Sequence, residues 1–484
     1  MNFVIQSTFE KSKTTNQALL VAGLTFTVLF HKAGVGLNLA LFSLLLIFYW
    51  WVRKRESFKP LKTRIIAVAS VVSALSLAWY GTEGTVIWNI LSLLTLSQFV
   101  LHPEGTILLA ESKSIIRIIL APWQGFVSLL GTQEPKGNSS IQQRIGKLLT
   151  FIVLPLAFTL LFATFYQDLN PIFEKFYFQT LGNLDLGLLF TIILGLAVSS
   201  IMLLKALPER ILQLDGFFAD EFKEDSASKP YSPTEKQGGI VLFSLLNLTL
   251  FAFFVSDLFF LQDISQGLAE DYAHYVHRGV GMLILSIVMA TALILYYFRN
   301  TESAQLSNRS ALKVLAIVWV FLNIGIVCTT AGKNWFYVEE YTLSLKRVGI
   351  FVYLTLAIAG LGVTLAKLYQ GKTNAFLIRR VYWVFFLVLT INNCMDWSNI
   401  ITRFNIQRHV EHRQNLDWNY LLTLNERNIP YVDAWKGHIQ FDNDQEKMNF
   451  YRRLKVEKSS LKDYSPEWRE AHLAKLYAQS YYQP

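Results

Sequence analysis

Charge is what this sequence has least of. Only 16% of its 484 residues are Asp, Glu, Lys or Arg, against about 25% in soluble domains, so a water-exposed surface cannot be assembled over most of the chain. Cysteine is nearly absent. The two present, Cys328 and Cys394, lie inside apolar runs, which excludes a disulfide-stapled secreted scaffold and reads most simply as two buried thiols. Twelve prolines and 26 glycines without a period exclude a collagenous or low-complexity chain. There is no Walker A loop, no H-E-x-x-H, no G-x-S-x-G and no G-x-G-x-x-G opening a helix after a strand, so nucleotide, zincin and serine-hydrolase chemistries have no motif to rest on. No 20 to 50 residue repeat and no paired broken helices occur either, which lowers the standing of a secondary transporter.

Present instead is apolar sequence, 52% of the chain, with 14% aromatic. It is gathered into runs long enough to cross a hydrocarbon core about 30 Å thick, where backbone groups must pair within the segment. Eleven such segments are read, near residues 16–31, 36–52, 65–80, 86–101, 148–166, 187–204, 239–261, 279–297, 312–330, 348–367 and 381–397. The first two form a tight hairpin, broken at His31-Lys32-Ala33-Gly34.

Residues 114–130 pose a twelfth candidate, interrupted by Arg117, Gln124 and Ala121-Pro122-Trp123. With eleven spans and the N-terminus inside, 25 Lys/Arg fall on inner loops and inner span ends and 6 on outer ones, whereas a twelfth span leaves 15 against 16. The positive-inside bias selects eleven, and makes 114–130 an interfacial or re-entrant helix. The expected fold is therefore an all-α, polytopic helical membrane protein. Its parts are a four-helix membrane part over 1–105, a cytoplasmic interfacial helix and linker over 106–146, a seven-helix core over 147–397, and a small helical tail outside, 398–484. The inner base, such as Arg53-Lys54-Arg55 after Trp50-Trp51, answers anionic lipid, so the bilayer is the expected partner and nucleic acid is not.

In the tail, Ile400 and Phe404, then Trp418, Leu421 and Leu422, fit short amphipathic helices. Ser465-Pro466-Glu467 supplies an N-cap, a first-turn proline and an acidic first turn for a helix carrying Leu473, Leu476, Tyr477 and Tyr481. About 87 residues bury only a modest core, so the tail is expected to dock on the outer surface of the membrane domain.

Polar residues beside spans are costly and therefore informative. The expected orientation places Asp257, His277, Arg278, Glu339, Glu340, Arg347, Asn393 and Asp396 at the outer boundary, as a polar cluster suited to a lipid headgroup, a partner or the tail, or to ion pairs that lock helices together. Glu270, His274 and His277 share a helical face at spacings of four and three, a weak zinc candidate without a fourth ligand. No cofactor and no catalytic residue is assigned. Mid-span Asn247 and Asn323 are expected to bond across helices, with small-residue contacts at Gly195/Ser199 and Gly362/Ala366.

Several short boxes recur in a definite order: Asn170-Pro171-Ile172-Phe173, Tyr275-Val276-His277-Arg278-Gly279-Val280, Tyr337-Val338-Glu339-Glu340-Tyr341 with Leu343 and Arg347, Arg403-Phe404-Asn405-Ile406, and Leu416-Asp417-x-x-Tyr420-Leu421. Together they resemble a bacterial polytopic membrane family known as domain of unknown function four-one-seven-three, with its sibling four-one-five-three, over residues 150–484. Ser344 stands where the family's threonine is expected. The resemblance implies a bacterial cytoplasmic (inner) membrane location and brings no activity. It draws Asn405 and Asp417 into the same region as His277, Glu339, Glu340 and Arg347. Three functions are thereby in competition: a non-enzymatic envelope protein binding a partner or lipid, a transporter or flippase using Asp257, His277 and Asn393, and an enzyme on a lipid-linked substrate using Glu339, Glu340 or Asp396 with Arg347.

Overall fold

A computed structural model describes residues 2–129, 186–217, 219–222, 232–267, 272–300, 306–307 and 310–483, with residues 159, 172–173 and 175 besides. Every regular element among them is a helix. The chain divides into two compact units, residues 1–213 with 465–473, and residues 214–464 with 474–484.

The first unit contains α1 (Asn2–Phe30), α2 (Leu37–Arg53), α3 (Leu61–Tyr80), α4 (Glu83–Leu101), α5 (Ile107–Leu129) and α6 (Leu186–Leu203). Asn38 makes the first hairpin. Its amide donates to Leu29 O at 3.1 Å and Gly34 O at 2.7 Å, while its Oδ1 accepts from Gly36 N at 2.9 Å. These are the helix-end groups that no helical partner satisfies. The α3–α4 turn uses Gly81 at φ 60° and then Thr82, whose hydroxyl caps Thr85 N.

The hairpin turn also receives residues 465–473. Gly34 N donates to Glu470 Oε2 at 2.9 Å, Leu37 N to Ala471 O at 3.2 Å, and the Arg469 guanidinium to Val28 O and His31 O at 2.8 and 2.9 Å. A helix starting at Ser465-Pro466 was expected here. Instead only a 3-10 turn, Trp468–Glu470, precedes a helix that begins at Leu473, because Glu467 and Ala471 take extended backbone and Arg469 to Ala471 bond to the hairpin. Tertiary bonds override the local cap signal.

A chain of polar side chains joins α2, α3 and α4. Ser43 Oγ donates to Asn89 Oδ1 at 2.8 Å, Asn89 Nδ2 to Ser73 Oγ at 3.2 Å, and Ser73 and Ser92 hydroxyls meet at 2.8 Å. Small hydroxyls let the backbones approach and bond across helices, the usual solution in a membrane. On α5 the expected break at Ala121-Pro122-Trp123 does not form, since the helix runs through Pro122. Arg117, expected to interrupt an apolar run, is fully buried and donates to Gln98 Oε1 at 3.1 Å, to Ser97 Oγ and to Ile201 O. Gly195 on α6 lets α1 approach, for a Cβ there would lie 2.6 Å from Gly23 O.

The second unit contains α7 (Pro233–Ser265), α8 (Tyr272–Tyr297), α9 (Ala311–Tyr341), α10 (Leu345–Gln370) and α11 (Asn374–Asn393), then α12 (Trp397–His412), α13 (Trp418–Leu424), α14 (Ile429–Trp435), α15 (Asp444–Lys462) and α16 (Leu473–Ser480). Phe243, Trp319, Leu312, Val327, Leu354 and Leu361 form one core, with the Phe243 and Trp319 rings edge to face at 5.1 Å. Asn247 bonds across helices to Leu315 O at 2.9 Å, whereas Asn323 bonds within its own helix to Trp319 O at 2.8 Å. Nothing stands within 4 Å of a Cβ built at Gly362, so that small-residue contact does not form. Asp220 and Glu221 are tied to the α10–α11 turn by Thr373 N (3.2 Å), Arg379 (3.2 Å) and Lys372 (2.6 Å). The Lys372 hydrogen bond and charge hold the Glu221 carboxyl below its usual range.

Among the described residues six helices are long and apolar enough to cross a membrane: α3, α4, α7, α9, α10 and α11. Apolar stretches in α1, α2, α6 and α8 are shorter, and the expected span 148–166 lies outside the described residues apart from Thr159. Only 17% of the α7 apolar window is buried. An apolar helix left bare on most sides belongs in hydrocarbon, and the protein is a membrane protein. The same logic corrects the cysteines. Cys328 is exposed on α9 and Cys394 half-buried, because an apolar run in a spanning helix describes its lipid face as well as its core.

At Gly36 the hairpin backbone meets the backbone of the late segment, and a Cβ would stand 2.4 Å from Glu470 O. Gly36→Ala is therefore expected to push 465–473 off the hairpin, raising amide exchange at residues 469–472 of the full-length protein while exchange in α3 and α4 stays unchanged.

Candidate functional site

Four of the sequence-derived polar residues of the second unit, Asp257, Glu339, Arg347 and Asp396, enter three separate arrangements. The first lies between two candidate spans. Asp257 of α7 is 6% exposed, and its Oδ1 is 2.6 Å from Lys333 Nζ while Oδ2 accepts from the Thr329 hydroxyl. Thr329 and Lys333 are four apart, on one face of α9. The Lys333 ammonium also lies 6.0 Å from the Phe260 ring. Inside a bilayer neither charge is tolerable alone, so the pair is held by mutual need.

The second pairing is the α9–α10 connection. Thr342 adopts φ 69°, ψ 173°, a conformation that L side chains rarely adopt. What holds it there is a set of bonds from both sides. The Arg347 guanidinium reaches back to Tyr341 O at 2.6 Å and to Thr342 O, and lies 4.1 Å from the Tyr337 ring. Ser344 caps α10 by accepting from Arg347 N. From α12, Asn405 reads Leu343 twice, accepting from its N–H at 2.8 Å and donating to its carbonyl at 2.9 Å. The Tyr420 hydroxyl accepts from Leu345 N at 2.8 Å, and burial pushes this phenol's pKa up. Arg408 stands 3.1 Å from Glu339 Oε1, and the Gln414 amide donates to Glu339 O. Beneath these bonds Leu343, Val348 and Val352 join Ile401, Ile406 and Leu421 in one core, so α12 and α13 are docked on the start of α10 as a packed unit.

The third pairing caps a helix. Asp396 accepts from Asn399 N at 3.2 Å to start α12, and its Oδ1 is 3.7 Å from Arg427 Nη2. The span expected at 381–397 is observed as Asn374–Asn393, because Thr373 caps it early and Asp396 begins the next helix. Asn393 donates to Leu389 O of its own helix at 2.9 Å, and Glu340 is exposed.

The side chains of His274, His277 and Arg278 lie outside the described residues, although α8 includes their backbone, and Glu270 lies outside altogether. Among the described residues no group of three or more His, Cys, Asp and Glu is placed to hold a metal.

Two features were hidden from sequence reading. Trp418, expected on a short amphipathic helix, is buried against Phe450 with its indole N–H on Glu446 at 2.7 Å. Beside it an open polar groove of about 680 Å³ runs between α13 and α15, lined by Asn419, Asp442, Asn443, Gln445, Asn449 and Arg453. The acidic first turn of α15, Asp444 and Glu446 after the Asn443 cap, was the available signal.

Two outcomes test these assignments. Asn405→Leu leaves both backbone groups of Leu343 unmet and is expected to cost about 2–4 kcal/mol, read as a lowered melting temperature of the full-length protein with faster exchange at 342–345. Asp257→Leu strands Lys333 and should cost about 3–5 kcal/mol, whereas Asp257→Leu with Lys333→Leu should recover most of it; equal losses in the single and double variants would contradict the pairing.

No curated protein and no solved structure matches the chain. A family model described as a domain of unknown function (DUF4153) matches residues 19–434, which makes the second of the two resembled siblings the supported one: the chain belongs to this family.

Proposed function

We propose that the protein is a non-enzymatic component of the bacterial cytoplasmic membrane, threaded eleven times with its N-terminus inside, whose C-terminal helices form an external docking module for an envelope protein. The observation that carries this reading is the way α12 and α13 are bolted to the α9–α10 connection by Asn405, Tyr420 and Arg408. A module fixed to its membrane helices transmits position and force, which a tethered domain does not. Its free surface is the α13–α15 groove with the outward side chains Met448, Tyr451 and Val456 of α15. Aromatic and methionine side chains beside polar ones suit a protein partner.

The enzyme reading loses support in the same bonds. Arg347, which would have held a phosphate, spends its guanidinium on two carbonyls and a tyrosine ring, and Glu339 and Asp396 each face an arginine. The transport reading keeps one specific support, the Asp257–Lys333 pair between spans, because such pairs mark ion paths as well as helix locks. Flux in proteoliposomes abolished by Asp257→Asn, with the fold intact, would favour it.

In a background with Cys328 and Cys394 replaced by Ala, Asn449→Cys is expected to react with a membrane-impermeant maleimide in intact cells. A photo-cross-linking residue at Tyr451 of the full chain is expected to capture a discrete envelope protein. Labelling only after lysis would overturn the orientation, and cross-links to lipid alone would overturn the protein partner.

A further inference from the structure

The first unit holds a second cavity of different chemistry. A groove of about 360 Å³ lies between α1 and α2, with Leu203 of α6 also lining it. Ala18 and Ala22, one turn apart on α1, are too short to fill the space opposite Phe42 and Leu46 of α2, and the groove reaches Tyr49 and Arg53 at one end. From Phe42 to Arg53 the helical rise gives about 16 Å, roughly half of a hydrocarbon core about 30 Å thick. The groove is therefore one leaflet deep.

Its two ends differ. At the far end the lining is Thr25 and Phe42; at the near end it is Gln17, Tyr49 and Arg53. Arg53 is exposed, makes no ion pair among the described residues, and is followed by Lys54 and Arg55. Trp51 is 51% exposed and carries the Arg55 guanidinium 5.5 Å from its ring. An exposed tryptophan with arginines beside it marks the headgroup level. Neighbouring Val21, Leu24, Leu45 and Phe48 are all more than half exposed, so the groove opens onto a face made for acyl chains.

We infer that this groove is a binding site for one anionic glycerophospholipid, with an acyl chain along Ala18, Ala22 and Leu46 and its phosphate on Arg53. The depth fits a single chain in one leaflet. The base at its mouth selects charge, since each Lys or Arg at this level favours an anionic headgroup by about fivefold. A helix of a partner or of a second copy is the competing occupant, and one leaflet of depth gives it nothing to pack on in the other.

The test uses the full-length protein in nanodiscs of equal phosphatidylglycerol and phosphatidylcholine, released into native mass spectrometry. One retained lipid is expected, enriched about fivefold in phosphatidylglycerol. Arg53→Gln should abolish the enrichment, Lys59→Gln, whose ammonium already pairs with Glu56, should leave it unchanged, and Ala22→Leu should lose the lipid of either headgroup. Enrichment surviving Arg53→Gln, retention surviving Ala22→Leu, equal retention of both lipids by the unaltered protein, or a dimer dispersed by Ala22→Leu would each overturn the assignment. Should Ala22→Leu fail to fold, the comparison of Arg53→Gln with Lys59→Gln decides alone.

Discussion

The second unit depends on one side-chain amide. Between α9 and α10 the backbone leaves helical geometry for three residues, Thr342 to Ser344. The peptide groups of Leu343 have no helical neighbour to bond. Asn405 supplies an acceptor and a donor at once, so it acts as a short piece of strand where the chain has none. Arg347 can then hold the carbonyls of Tyr341 and Thr342, and Tyr420 the N–H of Leu345. With the connection pinned, Val348 and Leu343 become part of the floor on which the α12–α15 helices pack.

The first unit is joined mainly by uncharged groups. Its interior is laid with hydroxyls and amides, Ser43, Asn89, Ser73 and Ser92, each answering the next. Individually such bonds contribute little in a bilayer, about 0.6 kcal/mol on average. Their value lies in register, because a helix that slides by one residue loses the whole series. Arg117 extends this interior with a guanidinium met by Gln98, Ser97 and a backbone carbonyl.

Helix positions were largely legible, and their reasons are plain. Apolar runs of spanning length mark where a helix lies but not its ends: the run at 312–330 continues as α9 to Tyr341, and that at 381–397 is Asn374–Asn393. Partners were not legible. Asp257 and Glu339 stood out as costly residues, but Lys333 and Arg408 are separated from them by 76 and 69 positions, and no local spacing encodes which base will meet which acid. Asn405 entered through the resemblance to a family, and its geometry came only with the fold. The tail misled in one place: Ser465-Pro466-Glu467 is a sound helix start, yet Arg469 to Ala471 just after it serve a turn more than four hundred positions earlier.

That distance has a kinetic consequence. The bond from Gly34 to Glu470 closes a loop of 436 residues. At about 5–20 residues per second of synthesis, the α1–α2 hairpin enters the bilayer on the order of 20–90 s before the segment that covers its turn exists. Throughout that interval the carbonyls of Val28 and His31 and the amide of Leu37 must be hydrated. Early insertion thus proceeds with the turn facing water, and residues 469–471 act as a seal, set only after the helices that precede them have been made.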